Sequence, residues 1–355
     1  MRPARPRPEG GRHPPDPRRC GRSRGVTARG AVLGHAATRL RTARSRVMTP
    51  SRSQVDPRRR GFQPWVGGSS IVEPVGNAFL DGFETACRRP TPAAVLEELA
   101  RTPEQWRGFA AEGAAMATTV RSRLEPWNRG VLDELLRRGD EHTYLMHVGV
   151  GWAMARLPRR WWPDVVGLDR AMVPLVLDGF AFHEVFFSTR KVLDARSTGF
   201  PLDAWPGGAR SATQHLAQGV GRGLWFVAGG SEDSLATLVG RFAEDQHASL
   251  WAGVGLAMTY AGGRDADGLR AVLDAAGRHR AWVRQGCAFA VEARARASTT
   301  TAHTRLAAEV LCGRTVDDVV SVVDRHRPRV PRGGPGNWLA YEGWRVGLAG
   351  ELGDG

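Results

Sequence analysis

Lysine is nearly missing from this 355-residue chain, where Lys191 stands alone among 50 basic residues. Such a balance fits an arginine-over-lysine coding bias. Cysteine is also scarce. Cys20, Cys87, Cys287 and Cys312 form no CxxC pair and no metal-ligand spacing, which excludes a zinc-ribbon or disulfide framework and leaves them as reduced thiols. No apolar run reaches the roughly 18 residues of a membrane span; the nearest, AMVPLVLDGFAFHEVFF, is broken by Asp178, His183 and Glu184. No apolar h-region of about 7–15 residues follows the early arginines, so a secretory signal is not expected and a cytoplasmic location is. A Ser-His-Asp elbow, a Walker loop and the kinase motifs are missing too.

The net charge of +14 suggests a nucleic-acid or membrane binder, but it is confined to one end. Residues 1–60 hold 17 of the 50 basic residues and 3 of the 36 acidic ones, which leaves 33 of each in residues 61–355. That Arg-, Pro- and Gly-rich leader lacks the apolar content to order itself, so residues 1–60 are expected to be disordered. A basic arm for nucleic acid or anionic lipid is one reading of it; an over-long start, with translation beginning at Met48, is the plainer one. The neutral body argues against both a nucleic-acid and a membrane partner.

From residue 61 to 355 the chain reads as a single all-helical domain, with no alternating strand pattern. Helices are expected over 77–87, 92–101 (capped by Thr91) and 103–124, with a break at Pro126. The stripe Leu235, Leu238, Val239, Phe242 recurs 34 residues on as Leu269, Val272, Leu273, Ala276. Each stripe precedes a segment with glycine near its middle: HVGVGWAMAR, QGVGRGLWFVAGG, AGVGLAMTYAGG and QGCAFAVEAR. Their first glycines are Gly149, Gly219, Gly253 and Gly286, the last two intervals being 34 and 33 residues, with Gly179 as a divergent member inside the long first interval. A period of 33–34 residues built from two helices predicts stacked helical hairpins in a curved repeat domain, clearest over 140–312.

Two glycines inside one helix cost it about 2 kcal/mol relative to alanine. Close approach of a neighbouring backbone can offset that, so the Gly-bearing helices are expected to form the inner layer. Gly255→Leu should then be far more damaging than Gly255→Ala. The GVG strings are not nucleotide loops, since a dinucleotide fingerprint needs GxGxxG between a strand and a helix. Gly229-Gly230 and Gly262-Gly263 are expected to end helices.

Among polar residues, Asp178, His183 and Glu184 form the most suggestive cluster, with His183 on the face of Phe180, Phe186 and Phe187. A titratable pair among aromatics is a general acid/base candidate; a hydrogen-bonded core histidine is the plainer alternative. Arg222 joins His183 and Glu184 as a catalytic candidate. Asp178, Gln218, Trp225, Trp251 and Gln285 are candidates for lining a pocket that holds an elongated unsaturated ligand, although most of the twelve tryptophans must be core. Glu244 and His247 have the i, i+3 spacing of di-metal bundles but occur once, so no metal is expected. Nothing specifies a cofactor.

The strings HVGVGWAMARL, LDGFAFHEVFF, QGVGRGLWFV, LWAGVGLAMTYAGG and QGCAFAVEARAR, in this order, resemble the UnbL-type proteins of bacterial enediyne gene clusters, a family defined by a domain of unknown function. The resemblance runs from about Phe62 to the C-terminus and departs at Ala217, Cys287 and Glu292, where relatives carry Asp, Ala and Lys. It implies a part in making an enediyne or related polyketide, with a polyene or polyketide intermediate as ligand and other enzymes of the cluster as possible partners. It assigns no mechanism. A non-catalytic carrier or scaffold is the rival expectation.

Overall fold

The computed structural model describes residues 41–128, 130–169, 171–329 and 338–353, and these contain helices and turns without a strand. Fourteen helices carry the description: α1 Val72–Arg88, α2 Pro92–Leu99, α3 Glu104–Leu124, α4 Val131–Arg138, α5 Thr143–Arg156, α6 Pro174–Ala195, α7 Ala209–Val227, α8 Glu232–Val239, α9 Glu244–Ala261, α10 Ala266–Ala275, α11 Arg280–Arg296, α12 Ala302–Cys312, α13 Val316–His326 and α14 Ala340–Gly353.

The long helices α1, α3, α5, α6, α7, α9 and α11 stand in one row, each packed on the next, and α14 packs on α11. Shorter helices form an outer layer, with α2 against α4 and α8, α10, α12 and α13 in succession. The two layers differ in what stabilises them. Of the outer helices all but α4 begin with side-chain caps: Thr91, Ser231, Asp265, Thr301 and Thr315 each accept from a backbone N–H of the first turn. Row helices have none at their starts. A short exposed helix is marginal without a cap, whereas a helix enclosed by neighbours is held by packing. In α9 every residue from Ser249 to Tyr260 is buried, as expected of a helix covered on all sides.

Ten glycines set the spacing of the row. A β-carbon at Gly82, Gly113, Gly149, Gly151, Gly179, Gly219, Gly221, Gly253, Gly255 or Gly286 would fall 1.8–2.1 Å from a carbonyl oxygen of the neighbouring row helix. The paired strings follow from helix geometry. Residues two apart lie about 200° around the helix, so the glycines of G-x-G face opposite neighbours. Gly149 meets the Glu112 carbonyl on α3 while Gly151 meets Val176 on α6; Gly219 meets Asp178 on α6 while Gly221 meets Leu250 on α9; Gly253 meets Gln218 on α7 while Gly255 meets Val283 on α11. With no Cβ, the glycine Cα–H groups can approach these carbonyls, a contact of known if modest worth. The expected inner layer of Gly-bearing helices is present, and it begins earlier than the repeat suggested, at Gly82 and Gly113.

The row curls so that α9 and α11 reach back to α3 and α5. Arg294 on α11 donates to the carbonyls of Glu104 and Gln105 at the start of α3 and to Tyr260 at the end of α9. Phe109 of α3 lies edge-on to Tyr260, with centroids 5.2 Å apart, and Tyr144 of α5 faces Phe289 of α11. Gly229, Gly230, Gly262 and Gly263 all have positive φ after α7 and α9, as expected. Trp65 lies over these turns and donates its indole N–H to the Gly263 carbonyl.

One boundary needs correction. The leader expected to be disordered through residue 60 lies outside the described residues only over 1–40; residues 41–60 are packed. Arg44 pairs with Glu125 at 2.8 Å and donates to the Cys87 carbonyl, Ser45 is buried, and Val55 fills the space beside Gly76. An arginine-rich composition hid these contacts because the guanidinium of Arg44 makes much of the joint and Val55 is the one apolar side chain of the segment to be buried in it.

Two outcomes follow. Alanine at Gly255 or Gly219 should cost about 3 kcal/mol, the upper part of the overpacking range, since a backbone carbonyl cannot rotate away, and leucine at Gly255 should cost more. Alanine at the exposed helical Gly350, where nothing lies within 4 Å, should instead stabilise by about 0.5–1 kcal/mol. Urea unfolding of these variants checks the contrast, and a tolerated Gly255→Ala would refute the close-contact account. A chain beginning at Met48 should also melt below one beginning at Arg41, by the equivalent of about 1.5–3 kcal/mol for the lost charge-assisted bonds of Arg44, as measured by circular dichroism.

Candidate functional site

The glycine contacts determine which side chains point inward. On α7, Gly219 and Gly221 occupy the two flanks, so Gln218 and Arg222, one turn apart, share the face between them toward the centre of the curl. Gly219 lies against the carbonyl of Asp178. This brings Gln218 and Arg222 within reach of the Asp178 carboxylate, which accepts from Gln218 Nε2 at 2.8 Å and Arg222 Nη1 at 2.5 Å. Gln218 Nε2 also lies 3.2 Å from the Tyr341 hydroxyl of α14. Three of the residues expected at a site are thus brought together, all buried.

Glu112 of α3 completes this centre, and sequence reasoning missed it. It is 1 % exposed, and its Oε1 has no hydrogen-bond partner among the described residues. Burial pushes its carboxyl up to about 8, with Arg222 opposing the shift and Asp178 adding to it. Burial alone would lower the pKa of Arg222, but the carboxylates of Asp178 and Glu112 outweigh that and raise it. The arrangement is a closed Asp178–Arg222 ion pair beside a carboxyl that is mostly protonated at neutral pH.

Glu112 also faces an apolar pocket between α1, α3, α5, α6 and α7. Phe79, Phe109, Trp152, Phe182, Phe186 and Phe226 supply aromatic walls; Val55 and Val75 close one side, and Arg156 and Gln54 are its other polar members. The pocket encloses about 640 Å³ of atom-free space including its mouth. Arg222 lies over the Phe182 ring, 5.0 Å from its centroid, so the ion pair backs the pocket's inner wall. A roomier cleft, about 1300 Å³ including its mouth, runs beside Asp133, Arg137, Asp140, Asp164 and Asp169. It is polar and contains none of the residues expected at a site, so volume and chemistry point to different places. The narrow pocket is the better candidate because it combines apolar walls with one buried, protonatable group.

The remaining expected residues lie elsewhere. His183 is buried against Trp152 and Phe187, and both ring nitrogens are engaged: Nε2 accepts from Arg156 Nε at 2.9 Å, and Nδ1 lies 3.1 Å from Glu184 Oε1. Since Arg156 can only donate, the proton sits on Nδ1 and points to Glu184. Burial lowers the pKa of His183, the Glu184 hydrogen bond partly opposing it, so the ring is neutral near pH 7. His183 and Glu184 therefore form a satisfied trio with Arg156, and Arg222 pairs instead with Asp178. Gln285 is tied to α14 as the Oε1 acceptor of Arg345 Nε at 3.4 Å. Trp225 stacks edge-on with Trp65, and Trp251 is buried in the core; neither lines the pocket. Glu244 pairs with Arg278, and His247 Nε2 lies 3.0 Å from the Phe242 carbonyl. Glycines 219, 221 and 223 lie within buried helix and offer no phosphate cradle. Among the described residues no group of three or more His, Cys, Asp or Glu could hold a metal, and no helix is long and apolar enough to cross a membrane.

The raised pKa of Glu112 has a signed consequence. Its folded value, about 8, lies above the 4.5 of a free carboxyl. The contribution is fully present below the unfolded value and is lost as pH rises through the folded one, because the folded state binds the proton more tightly. Glu112→Gln, which stays neutral, should therefore melt progressively higher than the natural chain as pH is raised from 5 to 9, and the gap should close toward pH 5. Thermal melts across that range check the sign; a constant gap would mean that Glu112 is ionised in the folded protein throughout.

A protein family described as "Protein of unknown function (DUF1702)" matches residues 39–352. No curated protein and no solved structure matches the chain.

Proposed function

The chain belongs to that family of proteins of unknown function, and on this premise we propose that it serves enediyne or related polyketide biosynthesis in the cytoplasm. In this reading it binds a polyene-derived intermediate in the aromatic pocket and exchanges a proton with it through Glu112. The five ordered motifs that resemble the UnbL-type proteins support the pathway. The observation that carries the chemistry is the single buried carboxyl, Glu112, on the wall of an otherwise apolar and aromatic pocket. A carboxyl mostly protonated at neutral pH can donate its proton to one carbon of a conjugated chain and, as carboxylate, take one from another, so that protons balance over an isomerisation or ring closure. Arg222 stabilises the carboxylate in between, while Asp178 keeps Arg222 in place. His183 and Glu184 become supports that orient Arg156, and Gln218 and Gln285 become ties to the C-terminal helix.

The pocket is narrow, so an elongated ligand enters only as the aromatic side chains move. That feature also suits a second reading, a non-catalytic carrier that encloses the intermediate and hands it to other enzymes of the cluster. The two readings separate in one experiment. A conjugated tetraene fatty acid, whose fluorescence rises in apolar surroundings, should bind the natural chain and Glu112→Gln saturably. In a strain lacking the gene, Glu112→Gln should fail to restore the pathway product if the carboxyl does chemistry. Restoration by a well-folded Glu112→Gln would favour the carrier, and failure of the tetraene to bind the natural chain would remove the pocket from either account.

A further inference from the structure

Two guanidinium groups stand against Phe187, one of the aromatic side chains of the pocket lining: Arg156, which lines the pocket itself, and Arg60, which lies next to that lining. Arg60 closes the short helix Pro57–Arg60, and its Cζ stands 4.4 Å from the centroid of the Phe187 ring and 6.0 Å from that of Phe186. Arg156, at the end of α5, lines the pocket and stands 4.8 Å from the same Phe187 centroid. Among the described residues neither arginine has a carboxylate within 4 Å, and Glu184, beside His183, is engaged by that ring. The pair is nonetheless held in place. Arg60 donates from Nε to the Gln54 carbonyl at 2.8 Å and from Nη2 to Gln54 Oε1 at 3.3 Å, and Arg156 donates from Nε to His183. Two like charges held near one aromatic ring repel each other, and an anion bound by both would relieve the repulsion while gaining charge-assisted hydrogen bonds. Directly behind them the walls turn apolar.

We propose that Arg60 and Arg156 form the head-group site for a carboxylate whose elongated apolar chain runs inward between Phe79, Trp152 and Phe186 toward Glu112. This rests on the reading of the pocket as a ligand site and adds the chemical class of ligand: an amphipathic unsaturated acid held at its charged end. Planar guanidinium groups suit a carboxylate because each offers two parallel N–H donors. The residues that position the head group are Gln54, which orients Arg60, and His183, which orients Arg156. The segment 50–60 then acts as one wall of the ligand site, in keeping with the packing of Val55 on Gly76.

The test compares a conjugated tetraene carboxylic acid with its methyl ester at fixed salt, read by ligand fluorescence. The acid should bind the natural chain about tenfold more tightly than the ester, as befits the loss of a charge-assisted contact. Arg60→Gln and Arg156→Gln should each erase most of that preference by weakening the acid several-fold more than the ester, and Arg60→Lys should keep part of it. Equal binding of acid and ester to the natural chain would overturn the head-group site while leaving the pocket standing. A parallel loss of both ligands in the variants would overturn it too, by showing that the arginines act through packing. Binding of neither ligand to the natural chain would refute the pocket itself.

Discussion

Everything in this molecule depends on a carbonyl oxygen standing about where a neighbouring helix would otherwise place a β-carbon. The contact repeats ten times along the row, and each instance fixes not only a spacing but a register, since only one residue of the facing helix can present its carbonyl to a given glycine. Helix propensity opposes the arrangement by about 1 kcal/mol for each glycine. What offsets it is close packing over the full length of each seam and the burial of large side chains on the inner and outer faces, and the G-x-G pairing allows a helix to be gripped from both flanks at one level. Register in turn decides chemistry. Asp178 meets Gln218 and Arg222 because Gly219 sits on the Asp178 carbonyl, not because any of these side chains seek each other at long range.

Four of the seams are tied reciprocally, each helix placing a glycine on the other: Gly82 with Gly113, Gly151 with Gly179, Gly221 with Gly253, and Gly255 with Gly286. The α3–α5 and α6–α7 seams are tied from one side, by Gly149 on Glu112 and Gly219 on Asp178. The residues that supply these two one-sided carbonyls are also the two central carboxyl groups. At each reciprocal seam the returning glycine stands three residues after the residue whose carbonyl is contacted; at these two seams that place is taken by Ala115 and Ala181, so the close contact is made from one side only. Placing two acids and one guanidinium in a buried core would be costly if all were charged. The cost is reduced because Asp178 takes the arginine and Glu112 stays protonated, which leaves a nearly neutral cluster.

How much of this could be read from residues alone depends on whether the signal was local. The G-x-G strings at 149, 219 and 253 are adjacent on the chain and recur, so the all-helical repeat, its inner layer and the glycine-ended helices were legible. Gly82 and Gly113 are single glycines without a partner two residues away, and the row's first seam was therefore invisible. His183 announced itself by sharing a face with Phe186 and Phe187, but Arg156, which converts it into a satisfied core group, is 27 residues away and follows no pattern. Asp178 and Arg222, 44 residues apart, were both singled out without being paired. Glu112 did leave a mark. It is the one charged residue between Arg107 and Arg121 in an Ala-, Gly- and Thr-rich segment, and a lone charge in so plain a stretch has nowhere solvated to go once the helix is enclosed.

Arg60 shows the opposite failure, in which composition misled. It ends a run of three arginines inside a segment with 17 arginines, and the average character of that segment hid the role of one member. The structure separates it from its neighbours by contact: Arg58 and Arg59 belong to the exposed side of a short helix, whereas Arg60 turns toward Phe186 and Phe187 and is held by Gln54. The distinction matters for the site as a whole. The repeat helices build the walls and set the buried carboxyl, but they leave the pocket open on the side of α1 and α6, and the segment 50–62, through Val55 on Gly76 and Phe62 on Phe186, covers that side and places a charged group next to its lining. Its stiffness comes from non-repeating contacts, so this wall can shift without disturbing a glycine seam. A narrow pocket bounded on one side by a rigid ladder and on the other by a strap outside it has an obvious direction in which to widen.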